Sequence, residues 1–473
     1  MPHLRKANFL NARLAFAIAA AVFGSSFQHG YNSGVVNEPQ QLMEDWISQV
    51  KMNRTGVPTS QSEVTLIWSV AVSIYCVGGM IGGSLVGWMA DRFGRKGGLL
   101  LNNILVLLTV IFEGSAKAAS SYEMIILGRF LIGINSGLNA GLVSMYLAEI
   151  SPVHLRGAVG TVYHLILCIS MLLSQILGLK QVLGTTDQWP LLLCLTIVPA
   201  IFQMCTLPFC PESPKYLLLS RSKDIDAQKA LSWLRGTIEV HDEMEEMRTE
   251  YESMKLIPKV TVRELFVNPA LRIPLFISIM IMFAHQLSGI NSIMFFSTKT
   301  FMMAQLDMTV AQNATVGVSA TGILMIIISL VLVEKAGRKT LLLVGFAGMF
   351  LDTALLTICL VFAETSRTAA YFSIVLVTIF VVLFSTGPGS IPWFMVSELF
   401  NQSARPPAIS IAIAVNWTAN FIVSISFLPL QEALGAYVFI IFAVLQLFFT
   451  LFIYKKVPET KNKTIEQISN IFK

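Results

Sequence analysis

Residues 285–291 read His-Gln-Leu-Ser-Gly-Ile-Asn, a polar run that lies between two apolar stretches, 276–284 and 293–296. Together the three pieces are about long enough to cross a bilayer as one helix. Polar groups in the middle of such a helix lack water, so they are costly unless they face a wet cavity or a polar ligand. A polar contact between helices is the alternative, but so many polar residues close together favour a cavity. Gly289 is a point at which the helix can loosen, as in the broken helices that form many transporter substrate sites.

The composition of the chain is that of a membrane protein. Of its 473 residues, 54% are hydrophobic and 13% are charged, and the mean hydropathy is +0.68. Apolar runs of about twenty residues, the length that spans the hydrocarbon of a bilayer, recur along the chain. The sequence therefore predicts an all-α membrane protein with twelve transmembrane helices, at about 13–35, 64–90, 97–117, 121–148, 157–180, 189–209, 272–298, 309–333, 340–363, 369–395, 405–430 and 433–455.

Lysine and arginine in the short loops predict the orientation, because basic loops face the cytoplasm. Alternate loops of this chain are basic, and so are both ends, so we expect both termini in the cytoplasm. The sequon Asn53-Arg54-Thr55 then lies in the longest outer loop, and we expect Asn53 to be glycosylated. The net charge of +5 is a topology signal and does not indicate nucleic-acid binding.

Charged landmarks recur in the two halves of the chain, about 245 residues apart, which is typical of an internal repeat. In each half an acidic residue, a turn glycine and a basic pair follow an apolar run. The matched residues are Asp91 and Glu334, Glu149 and Glu398, Arg156 and Arg405, and Glu212 and Glu459. A near-constant offset over half of the chain predicts two repeats of six helices each.

A polar stretch at 210–271 separates the two repeats. Apolar residues such as Trp233, Leu234 and Met244 alternate there with acidic ones, which predicts short amphipathic helices. The expected domains are an N-terminal six-helix half at 1–209, a cytoplasmic helical linker at 210–271, a C-terminal six-helix half at 272–455 and a cytoplasmic tail at 456–473.

From end to end the chain resembles the sugar porters of the major facilitator superfamily, and among them the animal facilitative hexose transporters. The resemblance rests on an ordered set of motifs: Gly30-Tyr31-Asn32-Ser33-Gly34-Val35, Asp91-Arg92-Phe93-Gly94-Arg95, Gly128-Arg129-Phe130, Pro211-Glu212-Ser213-Pro214, Gln286-Leu287-Ser288-Gly289-Ile290-Asn291, Gly387-Pro388-Gly389, Asn416-Trp417-Thr418 and Pro458-Glu459-Thr460. It implies the major facilitator fold, with two pseudo-symmetric halves, and alternating-access uptake of a hexose such as D-glucose across the plasma membrane. The implied partners are the hexose and the lipid bilayer; no cofactor, metal or nucleic acid is expected, and a monomer is sufficient.

A sugar site needs uncharged donors and acceptors and an aromatic plate, about midway through the membrane. Residues suited to this are Gln286, Asn291, Asn416 and Asn420, with Trp393 as the plate. The resemblance places sugar contacts at His164, His285, Gln286, Asn291, Gly322, Trp393 and Asn420. Gln28, in the outer half of the first predicted helix, completes the predicted substrate-binding set.

Three of these positions depart from the family pattern, which has glutamine at His164 and His285 and asparagine at Gly322. Neutral histidine both donates and accepts, as glutamine does, whereas the imidazolium only donates. We therefore expect the two histidines to make transport sensitive to pH without driving it by protons. Trp393 favours D-glucose, and fructose or another polyol-like substrate is the alternative.

The charges at the cytoplasmic helix ends are predicted to form a latch, in which acid–base pairs between the halves hold the inner side shut. The predicted latch residues are Asp91, Arg92, Arg95, Glu149, Arg156, Glu334, Arg338, Glu398 and Arg405. Charges that only set the topology are the alternative, but the repeated combination of arginine with carboxylate favours the latch.

Coupling to protons needs a titratable carboxylate in the transport path. Proton-driven relatives carry aspartate where this chain has Asn32, so passive uniport is expected and a proton-coupled sugar symporter is the alternative. Asp352, midway along the ninth predicted helix, keeps that alternative open. An enzyme is not expected, because the chain has no HExxH motif, no glycine-rich phosphate loop and no paired carboxylates at one membrane depth. A non-transporting sugar receptor of the same fold is a further alternative.

Overall fold

The computed structural model describes residues 10–152, 155–401, 404–460, 463 and 465–472. This part of the chain is mostly helical and contains no β-strand. Eight of its helices are long and apolar enough to cross a membrane. Two of the eight, Gln61–Ser115 and Arg405–Lys456, have 55 and 52 residues. At 1.5 Å per residue each contains about 80 Å of helix in total. The first is interrupted at Gly94 and the second after Leu434, so each forms two crossings.

Two further segments bring the crossings to the predicted twelve. One runs through Ala12–Ala21, a π-helical turn at Val22–Ser26 and Phe27–Gly34, and the other is Arg156–Leu177. We number the crossings in chain order as spans. The first six spans are 12–34, the two arms of Gln61–Ser115 on either side of Gly94, Tyr122–Ile150, Arg156–Leu177 and Trp189–Phe209. The last six are Pro269–Met303, Met308–Ala336, Arg338–Phe362, Arg367–Thr386 with Ile391–Leu399, Arg405–Leu434 and Val438–Lys456.

The seventh span is interrupted where the sequence predicts it. It consists of Pro269–Leu287 and Ile290–Met303, and Gly289 between them has φ of 96°. Only glycine adopts this left-handed conformation at little cost. A Cβ atom on Gly289 would also lie 3.0 Å from the ring of Phe442. The helix therefore changes direction within the polar run.

The helices form two compact units. The first unit comprises Met1–Val35, Val77–Ser174 and Pro190–Pro258, and the second comprises Val36–Cys76, Gln175–Trp189 and Lys259–Lys473. This division differs from the predicted domains, which follow the chain. The reason is that two segments of the first half, 36–76 and 175–189, make hydrogen bonds with the second half; Asn37, for example, donates to the carbonyl of Met294 over 2.8 Å.

Small residues bring helices of the first unit close together. A Cβ atom on Gly82 would lie 2.2 Å from the carbonyl oxygen of Ile134, and one on Gly137 would lie 2.5 Å from that of Gly79. Within a bilayer, helices associate mainly through such close packing, because lipid is as apolar as their side chains. The second and fourth spans are thus in backbone contact.

The linker contains helices Asp224–Arg235, His241–Leu256 and Val262–Val267, as the amphipathic pattern predicts. Leu234 and Met244 are buried. Arg235 ties the linker to the fourth span, because its Nη1 donates to the carbonyl of Ile150 over 2.7 Å while its Nη2 pairs with Glu243 at 2.8 Å. The linker helices that carry these residues are therefore packed on the first unit.

Candidate functional site

The polar residues of the seventh span are joined to those of the eleventh by one chain of hydrogen bonds. Gln286 Nε2 donates to Asn416 Oδ1 over 3.1 Å, and Gln286 Oε1 accepts from Asn291 Nδ2. Asn291 Nδ2 also donates to Asn420 Oδ1 over 2.8 Å, and the Ser424 hydroxyl donates to that oxygen over 3.2 Å. Four residues of the predicted site are thus in mutual contact within the second unit.

His285 lies at one end of this chain. Its Nδ1 is 3.1 Å from Asn416 Nδ2, and its Nε2 is 3.1 Å from the carbonyl oxygen of Gly389. The ring packs against Phe384 and Trp393, with centroids 5.2 and 5.7 Å apart. The seventh, tenth and eleventh spans therefore meet at His285.

Members of this cluster differ in how far they are exposed. Four are buried: His285, Gln286, Asn416 and Asn420. Asn291 is half-buried, and 41% of Trp393 is exposed. A ligand therefore has the most direct access to Asn291 and Trp393. The amide and aromatic groups of the cluster are uncharged, which suits a ligand with many hydroxyls.

Gln28, which the sequence predicts as a substrate contact, is fully buried in the first unit. Its Nε2 donates to the carbonyl of Thr196 over 2.6 Å, and its Oε1 accepts from the hydroxyl of the same threonine. Asn32 Nδ2 donates to that hydroxyl oxygen over 2.9 Å. These bonds join the first and sixth spans, so the Gln28 side chain is engaged between helices. Its part in substrate binding stays a prediction.

His164 and Gly322 are the other predicted contacts outside the cluster. His164 is exposed, and its Nε2 lies 3.8 Å from Sγ of Cys168, one turn along the fifth span. Gly322 is buried, and a Cβ atom there would lie 3.0 Å from a methyl group of Val381. The asparagine that the family usually has at this position would therefore require Val381 to shift.

A second polar cluster, which the sequence reasoning missed, joins the segment after the first span to the seventh span. Asn37 Nδ2 donates to the Ser297 hydroxyl over 3.0 Å, and Asn37 Oδ1 accepts from the backbone N–H of Thr298 over 3.2 Å. Lys299 Nζ lies 3.5 Å from Glu44 Oε2. By the predicted orientation this cluster is extracellular. Asn37 lies three residues after the last glycine of the Gly-Tyr-Asn-Ser-Gly motif, and this closeness is the sequence signal that could have indicated the cluster.

Glu38, next in the chain, is buried to 2% exposure. Its backbone carbonyl accepts from Gln312 Nε2 over 3.1 Å, but within the described part of the chain neither carboxylate oxygen has a hydrogen-bond partner. Burial raises the pKa of Glu38 to about 9. Burial also raises the pKa of Glu44, although the neighbouring Lys299 opposes this shift.

The turns after the second and eighth spans have the same geometry. Gly94 has φ 79° and ψ 175°, and Gly337 has φ 85° and ψ 168°. After each glycine, two backbone N–H groups donate to one glutamate, at 3.0–3.1 Å: those of Arg95 and Lys96 to Glu212, and those of Arg338 and Lys339 to Glu459. The predicted internal repeat is confirmed in atomic detail. The sequence marked the two glutamates as landmarks but did not indicate that they cap these turns.

Each of these turns also carries one ion pair of the predicted latch. Arg95 Nε lies 2.9 Å from Glu149 Oε2, and Arg338 Nη2 lies 3.1 Å from Glu398 Oε1. The Arg95–Glu149 pair lies within the first unit and the Arg338–Glu398 pair lies within the second. Each pair joins a turn to the end of another span of its own unit. The pairing of charges between the halves, which the latch also requires, stays a prediction.

The other predicted latch residues are not members of these two ion pairs. Arg405 Nε donates to the carbonyl of Ser397 over 3.0 Å, and Asp91 and Arg92 are exposed. The side chains of Arg156 and Glu334 lie outside the described residues, so their predicted roles stay predictions.

Comparison with known proteins gives an independent view of this architecture. Residues 17–472 match the family model "Sugar (and other) transporter". The chain is 44% identical over 464 residues to "Solute carrier family 2, facilitated glucose transporter member 1" of Gallus gallus, covering 98% of this chain and 94% of the relative. It is 44% identical over 459 residues to member 3 from Ovis aries, covering 97% of this chain and 92% of the relative.

Solved structures agree with the fold. The inward-open conformation of the xylose transporter XylE from E. coli matches with a TM-score of 0.80, covering 97% of this chain and all of that one. The sequence identity is 21%, so this likeness supports the fold alone. The family model covers nearly the whole chain, and both relatives align almost end to end. With its twelve spans in two repeated halves, the chain therefore belongs to the sugar transporter family.

Proposed function

We propose that this protein is a facilitative hexose uniporter that works by alternating access, with D-glucose as a substrate. The observation that carries the proposal is the chain of uncharged amides beside the exposed Trp393, because such groups bind hydroxyls and a sugar face without needing a charge on the ligand. Two relatives that are each 44% identical to this chain are named as facilitated glucose transporters, which supports D-glucose as the substrate.

Asn32 supports uniport over proton coupling. Its amide donates to the carbonyl of Gln28 over 2.8 Å and to the Thr196 hydroxyl over 2.9 Å, and an amide does not take up or release protons near neutral pH. In proteoliposomes, labelled D-glucose should equilibrate and never accumulate, with or without an imposed pH gradient. D-fructose and D-galactose, assayed in parallel, define the substrate range. Accumulation under the pH gradient would exclude uniport, and the absence of any hexose uptake would exclude the whole proposal.

A proton-coupled symporter is the second candidate, and two buried carboxylates in the spans favour it. Glu113 in the third span is 1% exposed and lies within electrostatic range of Arg129, and Asp352 in the ninth span is 4% exposed. Among the described residues, neither oxygen of Asp352 has a hydrogen-bond partner. If the pH gradient drives accumulation, Glu113→Gln and Asp352→Asn, each tested alone, identify the carboxylate that carries the proton. The variant that no longer accumulates sugar but still equilibrates it marks the site.

The proposed location is the plasma membrane, with both termini in the cytoplasm and Asn53 outside. Asn53 is exposed near the end of helix Gln40–Thr55, where a glycan has room. Enzymatic removal of N-glycans should increase the electrophoretic mobility of the protein from animal cells, and Asn53→Gln should abolish that change. If the mobility of the wild-type protein does not change, Asn53 is not glycosylated. The extracellular position of Asn53 then loses this support.

A further inference from the structure

Both ring nitrogens of His285 face protein groups whose hydrogen-bonding roles are defined. The carbonyl oxygen of Gly389, 3.1 Å from Nε2, can only accept, so Nε2 carries a proton. The Nδ2 group of Asn416, 3.1 Å from Nδ1, can only donate, so Nδ1 carries none. His285 is therefore a neutral imidazole in the Nε2–H tautomer.

This tautomer sets the direction of the whole amide chain, because each amide has one donor end and one acceptor end. Asn416 turns Nδ2 to His285 and so presents Oδ1 to Gln286 Nε2, 3.1 Å away. Gln286 then presents Oε1 to Asn291, whose Nδ2 also donates to Asn420 over 2.8 Å. Both hydrogens of the Asn291 amide are used in these bonds, so its Oδ1 is left to accept from a ligand.

We propose that His285 is a positioning residue, and that its protonation decides whether Asn291 accepts from a substrate hydroxyl or donates to it. The proposal deepens the proposed hexose function and rests on it for the identity of the ligand. Half-buried Asn291 is the member of the amide chain that a ligand can reach, whereas His285 is 7% exposed and has both nitrogens engaged. His285 thus acts on the substrate through the chain.

Protonation would reverse the chain step by step. A proton on Nδ1 makes it a donor, so Asn416 must turn Oδ1 to the ring and Nδ2 to Gln286. Gln286 must then present Nε2 to Asn291, which turns Oδ1 inward and offers an N–H to the ligand. Asn420, whose Oδ1 accepts from Asn291 in the neutral state, must turn as well and donate its Nδ2 to Asn291 Oδ1. The polarity of one substrate contact is thereby inverted.

Among the described residues, the groups whose contacts with the ring are given above are uncharged. The tenth span contributes Phe384, Trp393 and the Gly389 carbonyl, the eleventh contributes Asn416, and the Ser288 hydroxyl bonds the His285 carbonyl. None of these groups titrates near neutral pH. A change in the chain on acidification to about pH 5.5 is therefore assigned to the imidazole if it disappears in His285→Gln.

The tautomer is tested without any ligand. Protein labelled with ¹⁵N-histidine is examined by NMR at about pH 8, above the ordinary histidine range, and the His285 signals are assigned by their loss in His285→Gln. The expected result is a protonated Nε2 and an unprotonated Nδ1. The opposite tautomer, with the proton on Nδ1, would overturn the proposal.

The effect on the substrate is tested with D-glucose and its monodeoxyfluoro analogues, as competitors of labelled glucose uptake in proteoliposomes. Fluorine cannot donate a hydrogen bond, so the analogue fluorinated at the hydroxyl facing Asn291 should bind about two- to tenfold more weakly than glucose at about pH 8. Because Asn291 would donate at about pH 5.5, the penalty should vanish there.

His285→Gln is the conservative variant, since glutamine donates and accepts like the neutral imidazole and does not titrate. In it the fluorine penalty should persist at both pH values. His241→Gln, at an exposed histidine of the linker, is the matched control and should keep the wild-type response. A penalty that is independent of pH in the wild type, or that still changes with pH in His285→Gln, would overturn the positioning role. If no hexose is transported, the proposed function fails and the tautomer alone decides the role of His285.

Discussion

Trp393 should contribute more to sugar affinity than any buried residue of the cluster, because it is large and 41% exposed beside the amide chain. Trp393→Ala should cost ~2 kcal/mol or more of binding free energy, as truncation of an aromatic contact in a binding site often does. The measurement is the KM for D-glucose uptake in proteoliposomes. Trp88→Ala is the matched control, since Trp88 is 56% exposed in the second span and contacts the Phe93 ring. A normal KM in Trp393→Ala would place the site elsewhere.

Asn291→Ala should weaken sugar binding by roughly 1–3 kcal/mol, because it removes a ligand contact and leaves a buried acceptor without a donor. Gln286 Oε1 loses its donor, and Asn420 Oδ1 keeps only the Ser424 hydroxyl. The KM for D-glucose should rise while the protein stays folded. Asn313→Ala, at an exposed asparagine of the eighth span, is the control and should have a normal KM. Equal affinities in the two variants would contradict the assignment.

Residue types in the sequence were enough to predict most of the cluster, but not which side chain faces which neighbour. Gln286, Asn291 and Asn416 are in contact, as expected from the polar run in the seventh span. Gln28 is also an amide in an apolar helix, yet it bonds Thr196, more than 160 residues away in the chain. Helical spacing defines a face of one helix and does not identify the helix that packs against it.

At the scale of elements, the interruption of the seventh span depends on Gly289. Gly289→Ala should destabilise the protein by about 1–2 kcal/mol, because a residue with a Cβ atom is strained at positive φ. The added methyl would also lie 3.0 Å from the Phe442 ring. Thermal unfolding in detergent measures the effect. Gly317→Ala is the control, since Gly317 is within a helix and has open space around it, so alanine should be neutral or stabilising there. Equal melting temperatures in the two variants would show that the interruption does not need glycine.

The ion pair at the end of the tenth span should affect turnover more than affinity. Glu398 accepts from Arg338 Nη2 and from the hydroxyl of Thr460, so it joins the turn after the eighth span to the segment after the last span. Glu398→Gln keeps the shape and removes the charge, and we expect kcat to fall several-fold with little change in KM. The control is Glu364→Gln, at an exposed glutamate after the ninth span. A loss of ligand binding from both sides of the membrane in folded Glu398→Gln would exclude the latch role.

The positions of the spans could be predicted because their length is set by bilayer thickness. The predicted ends of the third span, 97–117, lie within a few residues of the observed arm that ends at Ser115. Breaks within spans were harder to predict from the sequence, because they depend on the backbone conformation of single residues. The break at Gly289 was expected from its polar neighbours, whereas the break of the tenth span after Thr386 was not.

At the scale of the whole molecule, alternating access requires the extracellular ends of the protein to separate and close in turn. In the second unit, segments 36–76 and 175–189 of the first half are bonded to the second half, through Asn37 and through Gln312, which accepts from the backbone N–H of Lys180. By the predicted orientation these bonds lie on the outer side, so opening that side would have to break them. Glu38 lies among them, so its protonation should depend on whether the outer side is closed.

Closing the outer side should therefore be coupled to uptake of a proton by Glu38. Burial raises its pKa from the ordinary 4.5 to about 9, and hydration on opening would return the pKa towards the ordinary value. Between these two values the closed state holds the proton and the open state does not. Acidification therefore favours the closed state, by up to about tenfold per pH unit. The proton returns to the outside when the site reopens, so no net proton transport results.

The expected outcome is that the apparent KM for external D-glucose rises as the external pH falls from about 8 to about 6, a range that lies between the two pKa values. The test is made in a background in which His164 and His285 are both replaced by glutamine, so that neither imidazole titrates. In that background Glu38→Gln is neutral at every pH, so its KM should be independent of external pH and as high as that of its parent in acid. Glu63→Gln, which changes an exposed outer glutamate paired with Lys51, should keep the wild-type profile, because exposed ion pairs contribute little. A pH dependence that survives in Glu38→Gln would show that another group senses the external proton.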